Sequence, residues 1–276
     1  MCKTNKLVAA TLILVFSVLA MSGCDIFKED SSGLGGSSLG SIFEVVDYEA
    51  LINEVSTEAM LFNVKIRAEH TEYQFPGYTN RYMSVGSGVI YRQDEEFSYV
   101  LTNDHVVDPE NNNRRSDYYV IDPYGNEYTA ELVTRDASCD LAILKFMDND
   151  DFALVSVALA TSEIEEGEDV ISLGNPSGQM NSITLGEVRG KLEVEPTTGE
   201  DKILFPVIMH TCPLESGSSG GVLLNYDLEL VGVNYATTNS ESFEEQYGLA
   251  IPLFKVLEFL DKSDADFELP SEEIEQ

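Results

Sequence analysis

Glu215-Ser216-Gly217-Ser218-Ser219-Gly220-Gly221 sets a serine two residues after one glycine and directly before two more. Glycine reaches backbone angles that other residues avoid. A hydroxyl in such a turn can stand clear of its own backbone while neighbouring amides point at one spot. That spot can hold the negative oxygen of an acyl-transfer intermediate. Two upstream stretches give the serine partners. Thr102-Asn103-Asp104-His105-Val106-Val107 offers an imidazole, and Asp140-Leu141-Ala142-Ile143-Leu144 offers a carboxylate. A base, an orienting carboxylate and a nucleophile in that chain order indicate serine-hydrolase chemistry. Ser219 is preferred over Ser216 and Ser218 because it alone combines Gly217 two residues before with Gly220-Gly221 directly after. His70 lies in a polar stretch and reads as a solvated loop histidine. His210, on an apparent strand before the serine loop, reads as a packed structural histidine, with contact to substrate as the alternative.

Outward from these stretches the chain reads as short strands. Leu61 to Ile66 alternates apolar and polar residues, and short runs bounded by turn residues follow. They include 88–91, 97–101, 118–121, 127–133, 141–146, 170–173, 203–209, 222–224 and 228–235. Such regular short strands argue for an all-β sandwich or barrel. A helix is expected before them, from Asp47 to Met60, with Leu51, Ile52 and Val55 at helical spacing. Another is expected at the end, with Pro252 in its first turn and Leu253, Val256, Leu257 and Leu260 on one apolar face.

The blocks together resemble the HtrA/Deg branch of the chymotrypsin-like serine proteases. Gly86-Ser87-Gly88-Val89-Ile90 with the His105 stretch, and Asp140 to Lys145, resemble its first two blocks. Val170 to Gly178 resembles its mid-domain turn. Gly217 to Gly221 resembles its serine block, followed by Leu230 to Asn234 and Gly248 to Pro252. The resemblance implies a chymotrypsin-like double β-barrel over residues 43–262, barrel 1 near 60–155 and barrel 2 near 160–252. It implies His105 as general base, Asp140 as its orienting partner and Ser219 as nucleophile. Gly217, Ser218 and Ser219 would supply the oxyanion hole, in a turn that can rotate so that the hole is unformed at rest. Leu214 would floor a pocket for small or medium apolar side chains. Asn234, Tyr235 and Ala236 would pair with substrate as an added strand. The PDZ domains of many relatives have no counterpart in the acidic tail, 263–276. The implied activity is that of an endopeptidase acting on polypeptides, misfolded ones above all, with no cofactor and no metal. A homotrimer is an arrangement the family allows. Rival readings are a scaffold or chaperone that cleaves little, and a glutamyl endopeptidase using His210.

Composition limits the partners. The formal net charge is −33, with 49 acidic against 16 basic residues, and no basic stripe. That field disfavours nucleic acid. The N-terminus reads as an export signal over 1–23: Lys3 and Lys6, then an apolar run from Leu7 to Ala20, too short for a comfortable membrane span. Met21-Ser22-Gly23-Cys24 resembles a bacterial lipobox, with Cys24 as the lipidated residue and 24–42 as a flexible Gly/Ser linker. Two or more acyl chains would hold the protein stably on a membrane, in the cell envelope. Cys139 and Cys212 are expected as buried free thiols.

Overall fold

The structure is a computed structural model. It describes residues 48–74, 77–107, 114–148, 154–193, 203–238 and 245–267. The signal, Cys24, the linker and the acidic tail beyond residue 267 lie outside the described residues.

Strands dominate, in two closed barrels. The first contains β1 (Asn63–Gln74), β2 (Tyr78–Gln93), β3 (Phe97–Thr102), β4 (Arg114–Ile121), β5 (Glu127–Asp136) and β6 (Leu141–Met147), in the order β1-β2-β3-β6-β5-β4. Pairing of β1 with β4 closes it. The second contains β8 (Asp169–Gly174), β9 (Ser182–Leu192), β10 (Val207–His210), β11 (Val222–Leu224), β12 (Glu229–Thr237) and β13 (Gly248–Pro252), and pairing of β11 with β12 closes it. A two-residue strand, β7 (Ala158–Leu159), lies parallel on β12 and carries the chain into this barrel. Closure pairs the end strands of each barrel, and β7 alone is left as a short edge strand among the described residues. Ile66, Val89, Leu101 and Ile143 of the first barrel are fully buried, as are Ile171, Leu173, Val222 and Val233 of the second.

Helices sit at both ends of this double barrel. In α1 (Tyr48–Thr57), Leu51 and Val55 are buried while Ile52 is exposed. In α3 (Leu253–Phe267), Leu253, Val256, Phe259 and Leu260 are buried. Leu257, expected on that apolar face, is exposed, because Phe259 takes the inward position beside Val256 and Leu260. Pro252 ends β13 rather than opening the helix.

His70 departs from the sequence reading. It is 1% exposed and lies within β1. The β1–β2 pairing runs on to Gln74 and Tyr78, so the polar stretch is a hairpin and not a loop. The ring shares hydrogen bonds with Ser116 Oγ (2.8 Å) and Ser84 Oγ (3.3 Å), which satisfy a buried imidazole.

Candidate active site

The His105 segment and Asp140 meet because β3 pairs with β6, Thr102 opposite Ala142. His105 follows on the single turn α2 (Asp104–Val107). Asp104 holds that turn: its carboxylate is buried and pairs with Arg135 at 2.6 Å. Asp140 stands at the tip before β6 with φ 53°, in the left-handed region where aspartate is tolerated better than most residues. One carboxylate oxygen accepts the His105 amide at 2.9 Å and the other faces His105 Nδ1 at 2.8 Å. An ionised carboxylate only accepts, so Nδ1 carries hydrogen and Nε2 is left with the basic lone pair. Burial pulls the His105 imidazole down. The hydrogen bond and charge of Asp140, with the charge of Asp104, outweigh it and hold the group above the ordinary histidine value.

The serine loop is two consecutive tight turns. The Ser218 amide donates to Glu215 O (2.9 Å) and the Gly221 amide to Ser218 O (2.9 Å). The third residue of each turn is a glycine with positive φ, Gly217 at 97° and Gly220 at 80°. A turn that needs positive φ at that position takes glycine at least cost. The Ser216 carbonyl accepts the Ser177 amide at 2.7 Å. In a trans peptide the N–H points opposite to the carbonyl, so the Gly217 amide faces away from Ser177. Among the described residues, the amides of Gly217 and Ser219 donate to no protein group. The Ser218 amide, which the resemblance adds to those of Gly217 and Ser219, is spent on Glu215 O. The Ser219 hydroxyl donates to Tyr235 O at 3.3 Å rather than to His105.

A cavity of about 210 Å³ opens at Ser219, lined by Leu214, Glu215, Ser216, Ser218, Tyr235, Ala236, Thr237 and Gln246. Of the residues expected to contact substrate, Leu214, Tyr235 and Ala236 line this cavity. Thr237 and Gln246 were not anticipated; Gln246 Nε2 donates to Thr237 Oγ1 at 3.1 Å. Asn234 is a correction. It is 1% exposed, its side chain bonds Ser172 Oγ (2.8 Å) and His210 Nε2 (3.1 Å), and its backbone bonds Gly220 and Gly221. A register shift between Asn234 and Ala236 makes Tyr235 the extra residue of a β-bulge. The bulge turns Tyr235 and Ala236 to the cavity and leaves Asn234 inside. His210 is fully buried, outside the cavity lining, and burial pushes its imidazole down to about 4. It packs under Gly248, where a Cβ would meet the ring at 2.2 Å.

Cys139 and Cys212 are free and buried, and burial pushes each thiol up to about 12, so neither is a nucleophile at neutral pH. Among the described residues no group of three or more His, Cys, Asp or Glu is placed to hold a metal.

Two closed barrels, one carrying the His105–Asp140 pair and the other a glycine-bounded serine loop, define a double-barrel, trypsin-like architecture. The chain belongs to the trypsin-like peptidase domain family, whose model matches residues 86–233. It is 36% identical over 170 residues to the serine protease Do-like HtrA of Bacillus subtilis, covering 60% of this chain and 36% of that protein. It is 31% identical over 181 residues to the periplasmic serine endoprotease DegP of Salmonella typhimurium, covering 64% of this chain and 35% of that protein. The chain thus spans about a third of the length of the curated relatives it matches. Its fold is shared with the active form of the Rv3671c protease from M. tuberculosis, with TM-score 0.62 and 23% identity over 84% of this chain and 94% of that one. The HtrA-type protease AlgW solved with a decapeptide also superposes, with TM-score 0.59 and 24% identity over 78% of this chain and 67% of that one.

Proposed function

We propose that the protein is a serine endopeptidase of the cell envelope, lipid-anchored through Cys24, that hydrolyses peptide bonds of misfolded proteins. The carrying observation is the 2.8 Å contact of His105 Nδ1 with Asp140, beside a serine loop whose Gly217 and Ser219 amides are uncommitted. Ser219 Oγ attacks the substrate carbonyl, and His105 Nε2 takes its proton and returns it to the leaving amine as the peptide bond breaks. Water deprotonated by His105 then releases the acyl group and restores the Ser219 hydroxyl. Asp140 fixes the ring and stabilises the imidazolium. The carbonyl oxygen becomes an oxyanion and accepts from Gly217 and Ser219. Leu214, Tyr235 and Ala236 favour a small or medium apolar side chain before the cut. The envelope location rests on the sequence of residues 1–24 and on relatives called periplasmic.

A second reading, a scaffold that cleaves little, has one observation behind it: the Ser219 hydroxyl donates to Tyr235 O rather than to His105. Glutamyl specificity through His210 is disfavoured, because that ring is buried and engaged with Asn234. Labelling of the soluble body (residues 42–276) with a fluorophosphonate, beside Ser219→Ala, tests the proposal. Labelling lost in the variant supports an activated Ser219. A folded wild type that takes no label supports the scaffold.

A further inference from the structure

Ser87 lies on β2 in the first barrel, 130 residues before the loop it touches, and is fully buried. Its hydroxyl donates to Gly217 O at 2.7 Å and accepts the Asn175 amide at 2.8 Å. Its backbone amide donates to Ser219 O at 2.8 Å. Its carbonyl accepts Thr102 Oγ1 at 2.7 Å, on the strand that leads to His105. One residue therefore bonds to both sides of Ser218 in the loop and to the strand that carries the base.

We propose that Ser87 is a positioning residue for the oxyanion hole, its hydroxyl holding the Gly217 peptide so that the Gly217 and Ser219 amides face the substrate carbonyl. This rests on the peptidase reading above. A glycine at φ 97° has little steric preference of its own. Two bonds fix the peptides around it. Ser177 N anchors the Ser216 carbonyl and Ser87 Oγ anchors the Gly217 carbonyl. The second is inside the protein, where an unpaired carbonyl is costly. Loss of the hydroxyl leaves Gly217 O and the Asn175 amide without that partner. The loop then gains by turning a carbonyl toward the donors that should serve the oxyanion. Asn175 braces the same point: its side chain donates to Val64 O at 2.9 Å, across the junction of the barrels.

The test compares wild type with Ser87→Ala and with Ser87→Cys, which keeps the volume and only a weak donor, using a peptide substrate and a crystal structure of each. The expected result is a fall in kcat of about tenfold or more for Ser87→Ala at nearly constant KM, since full loss of one hole donor costs about 100-fold or more. Ser87→Cys should fall between, and decides the matter if the alanine variant does not fold. A kcat within twofold of wild type overturns the proposal, as does a loss carried equally by KM. A wild type that turns over no peptide removes the peptidase reading, and the structures then decide Ser87. The Ser216 carbonyl leaving Ser177 in the variant supports its role, and an unchanged loop overturns it.

Discussion

Asp140 spends both oxygens on one residue, so its charge and its geometry act on His105 together. Asp140→Asn separates them. The shape is kept, but an amide cannot replace the charge and can present N–H to Nδ1, favouring the wrong tautomer. A fall in kcat on the order of 10⁴ is expected. The pH profile should move as well. Neutral His105 is the base, so kcat/KM rises as pH climbs through its pKa, which Asp140 and Asp104 hold above the ordinary 6.5. In the asparagine variant that acid limb should shift to lower pH. A limb that stays in place would mean that Asp140 does not set the basicity. The linked effect on stability has a fixed sign. A raised folded value stabilises fully below pH 6.5, and the gain is lost as pH rises through the raised value. With the His105 side chain 49% exposed, solvent screening keeps that contribution small.

At the scale of elements, the serine loop works because two turns share Ser218 and each ends its bend on a glycine. Gly220 is the tighter position. A Cβ there would stand 2.1 Å from Ser87 O and 2.3 Å from Thr102 Oγ1, at φ 80°. Backbone and a buried hydroxyl give way poorly, so Gly220→Ala should cost several kcal/mol and abolish labelling of Ser219. Thermal melts and probe labelling check this; a variant with native Tm and full labelling would show the loop to be plastic. Much of this was legible beforehand, since the glycines, His105 and Asp140 sit in local motifs and strands announce themselves by period two. What was not legible depends on pairing. Tyr235 reaches the cavity and Asn234 does not, because a bulge against β13 shifts the register between them. His70 is buried because β1 and β2 pair through to the end of a hairpin, and nothing local to a polar stretch announces its partner. The role of Ser87 lay in contacts with Gly217, Asn175 and Ser219, none of them near it in sequence.

For the whole molecule, the acidic excess acts on stability through long-range repulsion. The formal net charge is −33, and so large an excess opposes compactness by self-repulsion. Opposing it are surface ion pairs such as Arg115–Asp117, Lys145–Glu131 and Lys255–Glu258, all partly exposed. Such pairs contribute about 0–1 kcal/mol each. Salt weakens repulsion and pairing alike, but the repulsion acts over every acidic side chain while each exposed pair is weak. The repulsion should therefore be the larger loss when the Debye length shrinks from about 30 Å at 0.01 M to about 3 Å at 1 M. The expected outcome is a Tm that rises by several degrees between 0.01 M and 1 M sodium chloride. Ser219→Ala protein is the material to melt, so that self-cleavage does not enter. Sodium chloride is preferred over sulfate, which would strengthen apolar burial by exclusion and mimic the effect. A Tm that falls with salt would mean that the ion pairs, including the half-buried Asp104–Arg135 pair behind His105, outweigh the repulsion. In that case the acidic surface is an organised network and not a uniform field.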